Sequence, residues 1–401
     1  MKKKLLVIAH NFWPENFPIN TFIKSIGFKN YEVSVLTGKP NYPHGKIFKQ
    51  YKWYSLDREV FSKNVTIYRV PIIPRGSGSS IMKILNYFSF IFCSIFFGTL
   101  IFNRKNFDHI FAYAPSPVIH CLVGIYFKII KKVKLSIWLQ DLWPLSLQLS
   151  GYSKKNLILK MIDKIIYLIY VHSDIIFVQS KYFFNILKKV VSEEKLYYLP
   201  NPVNICLIKK KLKIKTFDRR KFNISYFGNI GLVQEFDTII QAAKKINNSN
   251  INFHFFGEGL QKNKIKDKIL KNNLSEFFFM HDYVEYKYVS HLINISSALF
   301  LSLKKNKFLN FIVPSKLQLY MFCGKPIIAE LDGEGKRLVK ESNSGLIVNC
   351  GNVDSMVKNI LFLYNMRNTK RIKRFGINGK NFYKKNFDVK ILTKNFLSKI
   401  K

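Results

Sequence analysis

The chain is patterned as short unbroken apolar runs separated by longer stretches of mixed polarity. LLVIA (Leu5 to Ala9), VSVLT (Val33 to Thr37), HIFAY (His109 to Tyr113), KLSIWL (Lys134 to Leu139) and DIIFVQS (Asp174 to Ser180) lack the alternation of a half-exposed strand. Apolar runs of this length predict strands covered on both faces, as in a parallel sheet. A second series runs through NISYFG (Asn223 to Gly228), INFHFFG (Ile251 to Gly257), FFFMHD (Phe277 to Asp282), ALFLSL (Ala298 to Leu303), PIIAE (Pro326 to Glu330) and GLIV (Gly345 to Val348). The segments between them read as helices, so strand and helix alternate. That order predicts an α/β protein of two Rossmann-like, doubly wound domains facing a central cleft, with ligands at the carboxyl ends of the strands. Residues 1–204 are expected to form the first domain and 223–375 the second. Residues 205–222, containing the basic tract KKKLKIKTFDRRK, read as a solvated linker, and 376–401 as a helical tail packing back on the first domain.

One apolar segment breaks the pattern. Ile84 to Phe102 carries no charge and approaches the length of a membrane span. Asn86, Ser89, Ser94, Gly98 and Thr99 lower its hydrophobicity, so a helix packed in the domain or dipped into a bilayer interface is expected rather than a span. The opening MKKKLLVIAHNFWPE resembles a signal sequence, but its apolar run stops at His10-Asn11 and fits a first buried strand instead.

With 401 residues and 48% hydrophobic content, the chain can build two full cores. Its formal net charge of +41 points to an anionic partner. Part of that excess follows from a composition rich in Lys, Asn, Ile, Phe and Tyr, the mark of AT-rich codons. The remainder favours a membrane surface over nucleic acid, because the cations are spread along the chain without a nucleic-acid-binding signature. The five cysteines are scattered, which suits reduced thiols rather than a disulfide framework or zinc site.

The candidate chemistry lies at strand ends. No two aspartates are spaced Asp-x-Asp, the pairing that would hold a divalent cation on a nucleotide diphosphate. Neither a metal nor a cofactor is therefore expected, and an anionic ligand must be neutralised by helix N-termini and basic side chains. Two glycine loops follow strands in the second half: YFGNIGLVQ, with Gly228, Asn229, Gly231 and Gln234, and FFGEGLQK, with Gly257 and Gly259. Such glycines either permit close backbone approach to a phosphate or simply allow tight turns. Farther on, a basic loop beginning at Lys304 leads into VPSKLQLYMFCGKP, where Ser315 is placed to cap a helix and Lys316 stands on its first turn. A cation is unfavourable there unless an anion binds beside it. In the first half, Asp141 and Trp143 of LQDLWPLSLQLSG follow a buried strand, where they could orient an acceptor hydroxyl and stack on a sugar. The alternative for them is a local cap and a core indole. His10, at the end of the first strand, is either a site residue or a structural histidine.

Together these stretches resemble the retaining GT-B glycosyltransferases of family 4, and within them a WbuB-like bacterial branch that builds O-antigen and capsule repeats. The resemblance also rests on TGKPNYPHGK (Thr37 to Lys46), APSPVIH (Ala114 to His120), LPNPVN (Leu199 to Asn204) and SGLIV (Ser344 to Val348). It implies a UDP-sugar donor, of an N-acetylated hexosamine or deoxyhexosamine such as N-acetylfucosamine, bound by the second domain. A polyprenyl-diphosphate-linked glycan acceptor would be bound by the first, on the cytoplasmic face of the bacterial inner membrane. Lys316, Asp141 and His10 would be catalytic, and the two loops with Lys304, Ser315 and Lys316 would hold the donor. The chain departs from the wider family at Phe311 and Leu319, where two glutamates are usual. It departs again at Asn229 and Gln234, where Arg and Lys are usual, and at Glu15 to Pro18, which replaces a glycine-rich turn. The rival readings are a UDP-sugar 2-epimerase on the same architecture and a non-catalytic basic surface-binding protein.

Overall fold

The computed structural model describes residues 2–29, 31–76, 79–143, 157–203 and 211–401. The chain divides into two compact units, Met1–Pro202 with Val389–Lys401, and Val203–Asp388.

The first unit is built on a sheet of strand order β3-β4-β2-β1-β5-β6-β7-β8. Its strands are β1 (Lys3–Ala9), β2 (Tyr31–Thr37), β3 (Asp57–Ser62), β4 (Val65–Arg69), β5 (His109–Ala114), β6 (Leu135–Leu139), β7 (Ile175–Val178) and β8 (Leu196–Tyr198). Every pairing is parallel except β3 with β4. The unbroken apolar runs are the central strands, and Leu5 to Ala9 are wholly excluded from solvent. DREVFS of β3 escaped the apolar-run criterion because it is an antiparallel edge strand, with no fully buried position.

Helices α1 (Pro18–Gly27), α2 (Ser80–Phe102), α3 (Leu122–Lys131), α4 (Leu157–His172) and α5 (Tyr182–Leu187) cover this sheet, and Val389–Lys399 (α13) completes it from the far end of the sequence. The ring of Phe396 on α13 lies 4.6 Å from Phe111 on β5 and 5.3 Å from Phe22 on α1. Phe22 in turn lies 4.9 Å from Trp138 on β6, whose indole N–H donates to the Leu199 carbonyl at 2.7 Å. The chain's return thus closes a core that the first part leaves open.

The second unit has a fully parallel sheet of order β11-β10-β9-β12-β13-β14. It comprises β9 (Phe222–Phe227), β10 (Ile251–Phe256), β11 (Phe278–His281), β12 (Ala298–Ser302), β13 (Ile327–Glu330) and β14 (Gly345–Val348). Its helices are α6 (Asp237–Ile246), α7 (Lys262–Lys271), α8 (Tyr286–Ile295), α9 (Ser315–Cys323), α10 (Gly333–Ser342), α11 (Val353–Asn365) and α12 (Lys370–Asn386). Alternate residues of one strand enter opposite cores: Ile224 and Tyr226 face one cluster, Phe227 the other. This two-sided burial is why the strands read as continuous apolar runs.

Two boundaries differ from the sequence reading. The basic tract expected as a solvated linker contributes Leu212, Ile214 and Phe217 to the second unit's core, with the Phe217 ring stacked 4.5 Å from His254. Residues 376–388, expected with the tail, stay in the second unit, because α12 packs on α9 there; only from Val389 does the chain join the first unit. Apolar side chains among lysines were masked by the charge around them.

Removing the ring that closes the first core should be costly. Phe396→Ala is expected to destabilise the first unit by about 3–5 kcal/mol, read as a lowered denaturant midpoint with Trp138 fluorescence as the probe.

Candidate functional site

In the second unit the strand order reverses between β9 and β12: the chain leaves β9 for β10 on one side and leaves β12 for β13 on the other. The loops after β9 and β12 therefore diverge at their carboxyl ends, where open parallel sheets bind ligands. The first loop starts at Gly228 and the second at Gly257, and they interlock through the backbone. Gly228 N–H donates to the Phe256 carbonyl at 2.9 Å, Ile230 N–H to Glu258 at 2.8 Å, and Gln261 N–H to Ile230 at 3.0 Å. Gly257 has φ +154°, and a β-carbon there would lie 2.0 Å from the Gly228 carbonyl oxygen, so a side chain has no room.

Gln234, where the wider resemblance expects a lysine, serves the loop itself. Its Oε1 accepts from Gly231 N–H at 2.9 Å. Asn229 is exposed, and its carbonyl accepts from the Tyr226 hydroxyl at 2.6 Å. Gly259 lies against the Ile230 carbonyl. Lys304 joins the group by its backbone, donating to Val233 at 2.9 Å, while its side chain is exposed. The expectation for Ser315 is corrected. Pro314 occupies the N-cap position and Ser315 is the first, exposed residue of α9, with no side-chain cap. Proline's fixed φ of −62° already sets the extended geometry that the capping position needs, so the hydroxyl falls one step too late.

Lys316 is the centre of this arrangement. Its stem lies across Gly228, where a β-carbon would be 2.2 Å from Lys316 Cε. Its ammonium donates to the Tyr226 hydroxyl at 2.6 Å and stands 4.6 Å from the centre of that ring. No carboxylate lies within ion-pairing distance of it among the described residues. Burial accordingly lowers its pKa from 10.5 to about 8. The residue set thus offers one desolvated cation, a glycine loop and a helix N-terminus, which is a set suited to an anion.

Sequence reasoning missed two residues of the second unit. Tyr226 looked like an ordinary strand aromatic, and only the fold turns its hydroxyl towards Lys316. Glu330 ends β13 fully buried, accepting from the Thr238 hydroxyl at 2.6 Å and Gly351 N–H at 2.9 Å, while Oε2 has no partner. Burial, with Glu235 and Asp237 nearby, raises its pKa to about 7. The available signal was a carboxylate closing the apolar run PIIAE.

The first unit carries its own polar cluster, in the segments that follow β1 and β2. His10 is buried between Tyr87 and Phe90, with ring centroids at 5.2 and 5.0 Å. Its Nδ1 bonds the Asn11 Oδ1 at 3.0 Å, so Nδ1 carries the proton. Nε2 is left without a hydrogen bond of normal geometry, although the Asn86 side chain lies close. Burial first, then His120, lowers the His10 pKa to about 3, so the ring is neutral at physiological pH. Glu15, in the turn that replaces the glycine-rich one, accepts from Asn41 N–H at 2.8 Å, Tyr42 N–H at 2.7 Å and the Asn11 amide. Asp141 follows β6, half-buried, and its Oδ1 accepts from Leu142 N–H at 3.1 Å, the local cap. Trp143 is half-buried and donates to Ser116 Oγ at 2.6 Å. The Pro144 to Gly151 part of that motif lies outside the described residues.

Residues 208–382 match the family "Glycosyl transferases group 1". The chain is 23% identical over 304 residues to the putative colanic acid biosynthesis glycosyl transferase WcaI of Escherichia coli, covering 70% of this chain and 72% of the relative. Over 156 residues it is 31% identical to the uncharacterized glycosyltransferase MJ1178 of Methanocaldococcus jannaschii, covering 37% of this chain and 39% of that one. Among solved structures, Anabaena HepE in complex with UDP superposes with a TM-score of 0.68 at 12% identity, over 99% of both chains. At that identity the likeness is one of fold, and the fold is GT-B.

Glu330 gives the site a measurable electrostatic signature. A folded-state pKa above the unfolded value means that the charged carboxylate is disfavoured on folding. Stability should therefore fall as pH rises from about 4.5 to about 7 and stay lowered above. Glu330→Gln keeps an acceptor for Thr238 and Gly351 but cannot ionise. Its melting temperature relative to the parent protein is expected to rise between about pH 5 and pH 8.

Proposed function

We propose that this chain, a GT-B protein whose residues 208–382 match the glycosyl transferases group 1, transfers a sugar from a UDP-sugar to a polyprenyl-diphosphate-linked glycan during surface-polysaccharide assembly. The observation that carries the reading is the uncompensated ammonium of Lys316 between the first glycine loop and the α9 N-terminus. The lowered pKa corresponds to roughly 3 kcal/mol of disfavoured charge, which a bound diphosphate would relieve. HepE, whose structures were solved with UDP and with UDP and glucose, supports the nucleotide class. The colanic acid relative supports the polysaccharide context, and an N-acetylated hexosamine or deoxyhexosamine remains our choice of transferred sugar.

In this mechanism Lys316 and the first N–H groups of α9 stabilise the charge on the departing diphosphate, and the side-chain-free Gly228 leaves the room for its approach. That neutralisation is assigned to the protein without a metal. The bond from the anomeric carbon to the phosphate oxygen breaks as the acceptor oxygen bonds the same carbon. The acceptor proton passes to the departing oxygen on the same face, so anomeric configuration is retained without a protein nucleophile. Acceptor binding is assigned to the first unit. There Asp141 is assigned to orient the acceptor, and His10, neutral and buried beneath the end of β1, to help position that surface.

Replacing Lys316 tests the reading directly. Lys316→Ala should weaken UDP binding by about 10- to 100-fold in calorimetry and lower kcat by about 10²-fold or more. Unchanged affinity and turnover would remove the residue from the mechanism.

The same group sets a pH dependence. The protonated amine binds the anion, and binding raises its pKa. UDP affinity should be level below about pH 8 and fall by up to about tenfold per pH unit above it. Lys316→Arg, which stays charged, should bind UDP without that decline, measured by titration across the same range.

A further inference from the structure

Helix α2 is patterned inside out. The side facing the first unit consists of Asn86, Phe90, Ser94, Gly98 and Phe102, a stripe in which three of five residues are polar or lack a side chain. The opposite side carries Phe88, Phe92, Phe96 and Leu100, exposed by 60%, 71%, 54% and 66%. A helix whose outer face meets water has the reverse arrangement. Only 22% of its most apolar 18-residue stretch is buried, so it is not a core helix. The patch extends over the neighbouring helices through Ile129 on α3, and Met161 and Tyr167 on α4.

We propose that the outer face of α2, with the adjoining faces of α3 and α4, is a docking surface for an anionic phospholipid bilayer, in which α2 lies along the interface and does not cross it. Charge selects the occupant. From Ser80 to Lys134 the sequence holds seven basic residues and one acidic one, Asp108. Lys83 flanks one end of the uncharged stretch and the exposed Arg104 the other, with exposed Lys132 on α3's end and Lys164 on α4. Apolar face with cationic rim matches acyl chains beneath anionic headgroups. A second copy of the chain would set the same cations against each other.

The inner side decides that the helix lies flat. Asn86 Nδ2 donates to the Ile73 carbonyl at 2.6 Å, Ser89 Oγ accepts from Ile73 N–H at 3.0 Å, and Thr99 shares a hydrogen bond with Tyr126 at 2.8 Å. At Gly98 the helix comes so close that a β-carbon would lie 2.9 Å from Phe127 and 3.0 Å from Leu36. Crossing the bilayer would break these bonds and bring Asn86 and Ser94 into hydrocarbon. Docking requires only that the outer face be covered, and it holds whether or not the chain transfers sugars.

The full chain should co-sediment with vesicles of phosphatidylglycerol and phosphatidylcholine and much less with phosphatidylcholine alone, with binding weakened by added salt. The triple variant F88S/F92S/F96S should bind about tenfold or more weakly while keeping the parent's circular-dichroism spectrum, because the replaced rings are mostly exposed. In a second variant, Phe92→Trp, the new indole should be quenched more by lipids brominated near the headgroup than by those brominated near the chain end. Equal binding to both vesicle types, unaltered binding of the triple variant, deep quenching, or a triple variant that only converts a dimer to a monomer would each overturn the proposal. UDP titration of the triple variant reads the donor site separately, so failure of either reading is recognisable on its own.

Discussion

The second unit keeps a largely buried ammonium, that of Lys316, whose partners among the described residues are the hydroxyl and the ring face of Tyr226. Lys316 can occupy that position because Gly228 has no side chain and because Tyr226 brings a hydroxyl and a ring to the same point. A cation–π contact and one neutral hydrogen bond offset part of the desolvation and none of the unfavourable interaction with the helix N-terminus. The lowered pKa is the residue of that imbalance. Such an arrangement is costly by itself, and the anion we propose beside it would offset that cost, as an internal carboxylate does in a structural ion pair.

The departures from the wider family follow from the same constraint. With Gln234 engaged on Gly231 and the Asn229 amide lying over Gly231 and Gly259, the first loop carries no cationic side chain at these positions. The buried cation beside this loop is Lys316, at the start of α9. The first unit is arranged by the opposite logic. His10, Asn11, Glu15 and Asn41 are buried and bonded among themselves, and burial keeps the imidazole neutral, leaving a lone pair rather than a charge at the strand end. One unit buries a cation beside a neutral phenol, the other a neutral imidazole among amides and a carboxylate.

The alternation of apolar runs and amphipathic segments was enough to determine the α/β class, the central strands of the first sheet, all the strands of the second and the loops that follow them, because burial on both faces leaves few polar positions in a strand. Glycine at Gly228 and Gly257 and a lysine on a helix's first turn were legible for the same kind of reason, since each violates a local preference. The sequence could not show that Ser315 misses the cap, because Pro314 competes for it by backbone geometry alone. Nor could it show that Phe217 leaves a basic tract for the core, that Tyr226 reaches Lys316 from 90 residues away, or that Glu330 is buried deeply enough to titrate near neutrality. In α2 the uncharged stretch was plain from the residues, but which side would face the protein was not. These are properties of neighbours distant in sequence. Local patterning determined what each segment is, and tertiary packing decided which charges lose their water and which apolar faces keep theirs.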